Sequence, residues 1–250
     1  MPNLLLTIRY DGTHYHGWQV QKNALSVQEV LQNALEDLFG KRPDVKGCSR
    51  TDSGVHANMY CVSFRAPFYP GEYHLLSALN HRLPPDIKAY ACQETDEAFH
   101  ARYACKGKEY IYYIYNGKYE NPFLSRYAFH YRYPIDADEL NEAAKHFIGT
   151  HDFAAFCSAH SDVEDTVRTV YDCRVSREGD MIQMTIRGDG FLYNMVRIIA
   201  GTLLQVASGK IKSDEIPLII QSGNRKKAGK TLAAKGLFLN KVFYGEEIEG

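Results

Sequence analysis

Apolar and polar positions along this chain switch repeatedly between a period of about two residues and one of about 3.6. The segment LLLTIRY (Leu4 to Tyr10) reads as a strand, and the Asp11-Gly12-Thr13 that follows reads as a turn. In SVQEVLQNALEDLFG, residues Val27, Val30, Leu31, Ala34, Leu35, Leu38 and Phe39 form one apolar stripe at helical spacing. Ser26 and Glu29 have the spacing of a capping box, and Gly40 is a natural stop. Tyr60 to Ala66 alternates like a strand, EYHLLSALNHRL is a helix stopped by Pro84 and Pro85, and IKAYACQE is a strand. The second half repeats the mixture. KEYIYYIYN (Lys108 to Asn116) and YAFHYRY (Tyr127 to Tyr133) read as aromatic strands, and DADELNEAAKHFIG as a capped amphipathic helix ending at Gly149. TVYDCRVSREGDMIQMTIRG is a hairpin turning at Glu178-Gly179-Asp180, FLYNMVRIIAGTLLQVASG is the most apolar helix, and LFLNKVFY (Leu237 to Tyr244) is a final strand.

This is not strict βαβ alternation, and it contains no GxGxxG or P-loop. The pattern predicts an α+β protein of two similar halves, each a mainly antiparallel sheet backed by helices, ferredoxin- or RRM-like in kind. Such halves are expected to face one another across a cleft, the usual place for a site. A soft boundary near residue 105 gives an N-terminal domain, 1–105, and a C-terminal domain, 106–250.

Composition narrows the class. Among the 250 residues there is no apolar run of the roughly 18 needed to span a bilayer. The start, MPNLLLTIRYDG, lacks a charged region followed by an apolar core and cleavage site, so a cytoplasmic protein without a membrane partner is expected. The six cysteines form no CxxC pair, which makes a metal site unexpected and buried thiols the simpler reading. Cys48 lies closest to Asp52, but no histidine is placed locally to activate it. The net charge of −1 argues against indiscriminate coating of nucleic acid, though not against a basic groove on one face. The cations are unevenly spread: Asn224 to Gly236 holds Arg225, Lys226, Lys227, Lys230 and Lys235 with no acid, while the C-terminus, EEIEG, is acidic. The basic stretch is either a solvated loop or a phosphate-binding segment.

Candidate chemistry centres on GCSRTDSGVHA. If Ser49 to Ser53 is extended, Arg50 and Asp52 point to one face with Cα atoms roughly 6.5 to 7 Å apart, a span an arginine bridges. The guanidinium then favours an ionised carboxylate, ready as nucleophile or base. The alternative is a surface turn in which Asp52 binds its own backbone. Tyr110 and Tyr112 share one face of their strand with Lys108 in line, which suits either core packing or stacking on nucleic-acid bases. FHARYACKGK brings His100, Arg102, Lys106 and Lys108 together in a basic, aromatic segment suited to RNA, although a lone histidine such as His100 or His56 is more often structural. Arg197, inside the apolar helix, needs a carboxylate or a phosphate if buried, and Asp52 is one candidate.

Several segments together resemble the bacterial tRNA pseudouridine synthase A family: YDGTHYHGWQVQ, SRTDSGVHA, LNHRLPPDI, FHARYACKGKEYIYYIYN, HDFAAF, RGDGFLYNMVRIIAGTLLQV and KGLFLNKVFY, in order along most of the chain. The resemblance implies two sheet-and-helix halves around a basic cleft, a homodimer that grips the tRNA anticodon arm, and no cofactor or metal. It implies conversion of uridine to pseudouridine in the anticodon stem-loop, tRNA positions 38–40. It makes Asp52 the catalytic aspartate with Arg50 beside it, and carries over Tyr110, Arg197 and Leu237. Lys108, Arg102 and His100 join Tyr110 and Leu237 as expected substrate contacts. On this reading Arg50 occupies the space left by the extruded uridine or holds a phosphate, and Arg197 pairs with Asp52. There are two departures from the family pattern: Ser49 stands where glycine is usual, and Leu232-Ala233-Ala234 replaces Ala-Pro-Ala. They put the target positions in question more than the chemistry. The rival readings are a non-catalytic RNA-binding protein and a sister synthase acting on another uridine.

Overall fold

The computed structural model describes residues 1–158 and 164–245, so the acidic run at 246–250 lies outside the described residues. The chain divides into two compact units, Met1–Lys106 with Phe238–Gly245, and Gly107–Leu237. No helix among the described residues is long and apolar enough to cross a membrane.

The first unit contains β1 (Asn3–Tyr10), α1 (Val27–Phe39), β2 (Lys46–Gly47), β3 (His56–Arg65), α2 (Glu72–Arg82) and β4 (Ile87–Thr95). The order β4-β1-β3-β2 is antiparallel throughout, the ferredoxin-like arrangement. The chain's last strand, β10 (Leu237–Phe243), runs parallel to the start of β3, with Phe238 opposite His56 and Leu239 opposite Ala57. Helix α1 forms where the apolar stripe lies: Val27, Leu31, Ala34 and Leu35 are buried, and Gly40 closes the helix in the left-handed conformation. Ser26 accepts from the Glu29 amide, one half of the expected capping box. Leu4, Leu6 and Ile8 of β1 and Leu75 and Leu79 of α2 are fully buried with this stripe.

The second unit repeats the plan. β5 (Gly107–Tyr115) is followed by β6 (Phe129–His130), α3 (Ala137–Ala144), β7 (Gly149–Asp152), β8 (Val167–Glu178), β9 (Met181–Gly188), α4 (Met195–Ala207) and α5 (Ile216–Ser222). The strands are ordered β5-β9-β8-β7, each neighbouring pair antiparallel. Strand, helix, hairpin and helix therefore recur, with the hairpin's second strand beside the first strand in both units. Phe147, Phe153 and Phe156 are fully buried beneath α3 and α4.

Several elements differ from the sequence reading. The aromatic strand expected at Tyr127 to Tyr133 shrinks to Phe129–His130, parallel to the end of β5. Beyond it the carbonyls of Tyr131 and Tyr133 are taken by the Asn116 amide, at 2.6 and 2.8 Å, instead of a strand partner. The apolar helix starts at Met195, not at Phe191, because Asn194 has φ +63° and breaks the helical path. Short elements β2, β7 and α5 carry too little periodic sequence to announce themselves.

Candidate active site

Residues 48–55 form a loop between β2 and β3, ending in a turn closed by the Val55 amide on the Asp52 carbonyl at 3.1 Å. Gly54 at its third position has φ +77°, the requirement of a type II turn. Along the loop Arg50 is exposed, Thr51 buried, Asp52 half-buried and Ser53 exposed. No hydrogen bond or ion pair joins Arg50 to Asp52 among the described residues. The expected local ion pair does not form, because the Arg50 side chain runs into solvent, where such a pair gains little.

The loop is braced by the segment that follows β1. The Tyr10 hydroxyl bonds the Thr51 hydroxyl at 2.8 Å, and the Trp18 amide donates to the Thr51 carbonyl at 3.1 Å. The Gly54 amide donates to the Tyr15 carbonyl at 3.2 Å, and the Tyr60 hydroxyl donates to the Ser49 carbonyl. Trp18 stacks on Tyr60 with ring centroids 4.2 Å apart. Gly12 and Gly17 lie against the loop so closely that a methyl on either would overlap its backbone. His56 is structural: it is 1% exposed, its Nδ1 accepts from the Gly12 amide at 3.0 Å, and its ring stacks on Phe238 at 4.5 Å. Cys48 is wholly buried behind the loop, and its sulfur accepts from the Cys61 amide.

The segment expected to contact RNA, residues 99–108, leaves β4 as a series of turns. His100 Nδ1 accepts from the Arg102 amide at 3.1 Å and its ring lies 4.3 Å from Tyr103. Arg102 and Tyr103 are exposed on a backbone anchored by Ser63, whose hydroxyl takes the Ala101 amide at 3.0 Å, and by Asn3.

In the second unit, Tyr110 is buried at 6% exposure, opposite Ile186 in the β5–β9 ladder, with its ring edge-on to Phe191 at 5.2 Å. Lys108, half-buried, stands opposite Gly188 on the same strand. Tyr112 is fully buried and donates its hydroxyl to the Ala233 carbonyl at 2.7 Å. Burial pushes that phenol's pKa up, with nearby Arg197 working against the rise. Arg197 is held by its Nε on the Leu232 carbonyl at 2.7 Å and its Nη1 on Asn194 Oδ1 at 2.6 Å. Asn194 also donates to the Ser158 hydroxyl at 2.9 Å, so its left-handed backbone and both ends of its amide serve the same post. Leu237 is buried, and a methyl on the preceding Gly236 would overlap the Tyr112 ring.

Asn194, Tyr10, Trp18 and Gly17 support these groups without having been singled out as candidate residues in the sequence. Among them only Asn194 leaves a local signal, a helix-capping residue ahead of Met195 and Val196.

The chain matches the family described as tRNA pseudouridine synthase over residues 6–104 and 143–245. The matched stretches contain Asp52, Arg197 and Leu237, while Lys108 and Tyr110 fall between them. The chain is similar to tRNA pseudouridine synthase A of Acetivibrio thermocellus, 48% identical over 98% of this chain and 100% of that one. It is also similar to the proteins of that name from Thermoanaerobacter pseudethanolicus, 46% identical over 98% and 100% of the two chains, and from Bacillus pumilus, 44% identical over 95% and 97%.

Proposed function

The chain belongs to the tRNA pseudouridine synthase family, and we propose that it isomerises uridine in the anticodon arm of tRNA with Asp52 as the reacting carboxylate. The reaction breaks the C1′–N1 bond, turns the uracil and joins C1′ to C5. The proton on C5 leaves to solvent and N1 takes one up, so nothing is oxidised and no group enters. An ionised carboxylate serves this chemistry by attack at C1′ or by removal of the 2′ proton.

The observation that carries the assignment of Asp52 is its setting. It is a half-buried carboxylate at the first position of a type II turn, on a loop braced by Tyr10, Tyr15, Trp18 and Tyr60. A loop bearing only a solvated turn has no need of that support, whereas a reacting group held to within a fraction of an ångström does. Arg50, extended into solvent, takes the space vacated by the flipped nucleotide or a phosphate, at a flipping cost of a few kcal/mol. Tyr110 stacks on the detached uracil and assists proton loss from C5, and Leu237 keeps water from capturing the sugar. Arg197 orients the reacting carboxylate. Lys108, Arg102 and His100 contact the RNA. The resemblance to tRNA pseudouridine synthase A also supports reading the protein as a cytoplasmic homodimer.

Asp52→Asn keeps the shape and removes the ionised oxygen. It is expected to bind tRNA as the parent does, while release of tritium from C5-labelled uridine falls about 10⁴-fold or more. A parental rate in the Asn variant rejects the assignment and favours a protein that binds RNA without reacting.

A further inference from the structure

Residues 224–236 carry five cations and no acid. Two of them are spent within the unit. Arg225 donates to the Gly229 carbonyl at 2.8 Å and the Thr231 hydroxyl at 3.1 Å, and Lys235 pairs with Glu120 at 3.5 Å. Lys226, Lys227 and Lys230 are exposed and make no ion pair among the described residues.

The backbone that presents them is fixed, not loose. The Lys226 amide donates to Asn224 Oδ1 and the Lys227 amide to the Asn224 carbonyl, each at 3.0 Å. The Gly229 amide donates to the Thr202 hydroxyl of α4 at 2.8 Å, and the Lys230 carbonyl lies against Gly201 where any side chain would collide. Two residues on, the Leu232 amide donates to the Arg197 carbonyl at 3.3 Å, and Arg197 Nε donates back to the Leu232 carbonyl. Gly201 and Arg197 are four residues apart on α4, one turn or about 6 Å along the axis. The lysines therefore begin one helical turn from Arg197, on a chain segment laced to the helix that carries it.

We propose that Lys226, Lys227 and Lys230 form a phosphodiester-binding patch that seats the backbone of the substrate RNA strand. The inference rests on the tRNA reading above and adds a specific surface to it. Ammonium groups act as point charges towards phosphates and carry no sequence preference. A patch free of acids, on a rigid platform, loses only side-chain freedom when a polyanion docks. RNA is a better fit than a second copy of the chain, because its backbone brings one anionic phosphate with every nucleotide.

The test is tRNA affinity as a function of salt, over roughly 50 to 200 mM, for the triple variant Lys226→Ala/Lys227→Ala/Lys230→Ala. Three lost phosphate contacts are expected to lower the slope of log K against log salt by about 2 to 3 and to weaken binding about 100-fold near 0.1 M salt. The loss falls on KM for tRNA and not on kcat, thermal melting stays parental, and the triple Lys→Arg variant restores the slope. An equal charge change elsewhere, Lys118→Ala/Lys145→Ala/Lys210→Ala, is expected to lower the slope by less than about one. An unchanged slope in the first variant overturns the proposal, as does an equal loss in the control, which assigns the effect to overall charge. Loss of self-association with the slope intact gives the patch to a second copy and also overturns it. Parental protein that binds tRNA but releases no tritium overturns the isomerase reading and leaves the patch standing.

Discussion

Gly17→Ala is the most direct probe of how the Asp52 loop is held. Gly17 has φ +81°, and its α-carbon faces the loop. An added methyl would overlap the Thr51 carbonyl oxygen and stand 3.1 Å from the Asp52 carbonyl carbon and 3.3 Å from the Ser53 nitrogen. Gly17 cannot retreat, because its carbonyl takes the Val27 amide of α1 at 3.2 Å and the next residue, Trp18, is bonded to Thr51. The loop must therefore give way. The left-handed conformation costs an alanine about 1–2 kcal/mol and the overpacking about 1–3, so a stability loss of about 2–5 kcal/mol is expected. Relieving the overlap moves Thr51 to Ser53 by roughly 1 Å, a displacement that costs about 10²-fold in rate, or about 2.7 kcal/mol of barrier. Single-turnover tritium release at saturating tRNA measures the rate, a urea titration the stability, and filter binding the affinity, which is expected to hold. Gly40→Ala is the control. Its φ of +71° carries a similar backbone penalty, but nothing lies within 4 Å, so it should cost about 1 kcal/mol and leave the rate alone. A Gly17→Ala enzyme with parental kcat would refute the view that this contact sets the position of Asp52.

Tyr110→Phe keeps the ring proposed to stack on uracil and removes the hydroxyl. Isomerisation is expected to fall about 10²-fold or more with binding retained, and an unchanged rate would leave the ring as the only contributor. Asn194→Ala loses the bonds to Arg197 and Ser158 and keeps the strained backbone, whereas Asn194→Gly loses the bonds but relieves the strain. The Ala variant should lie about 1–2 kcal/mol below the Gly variant in stability, with both slowed in tritium release, and equal stabilities would remove strain from the account. Burial lifts the Cys61 thiol from 9.0 to about 11. Between those pH values the unfolded chain has lost a proton that the native state keeps, so stability falls as pH rises, by up to about 1.4 kcal/mol per pH unit. Urea titrations from pH 8 to 11 should show this decline flattened in Cys61→Ala, and an identical slope would assign it to other groups.

The fold was legible where information is local. The α1 stripe and its Gly40 stop, the hairpin turning at Glu178-Gly179-Asp180, and β1, β4 and β5 all follow from period and turn chemistry. Tyr127 to Tyr133 misled because aromatic, β-prone residues were there, while the groups they bond, the Asn116 amide above all, belong to a neighbouring segment. At the site, a two-residue spacing suggested that Arg50 could bridge to Asp52 but could not say that Arg50 would be exposed to solvent. The bracing of the Asp52 loop was invisible for the same reason: Tyr10 and Thr51 meet across 41 residues of chain, and neither looks unusual in its own surroundings. The role proposed for the carboxylate came only through the family resemblance.

The parallel pairing of β10 with β3 makes the floor of the Asp52 loop depend on a strand from the far half of the chain. While the ribosome is still at work, β3 has a bare edge at His56 and Ala57, and the imidazole that supports Gly12 has no Phe238 to lie on. An uncovered edge of this kind invites pairing with other nascent chains. A protein stopped short of Phe238 would thus emerge with its acidic loop on an unfinished floor, prone to stick to its neighbours and unable to act on RNA.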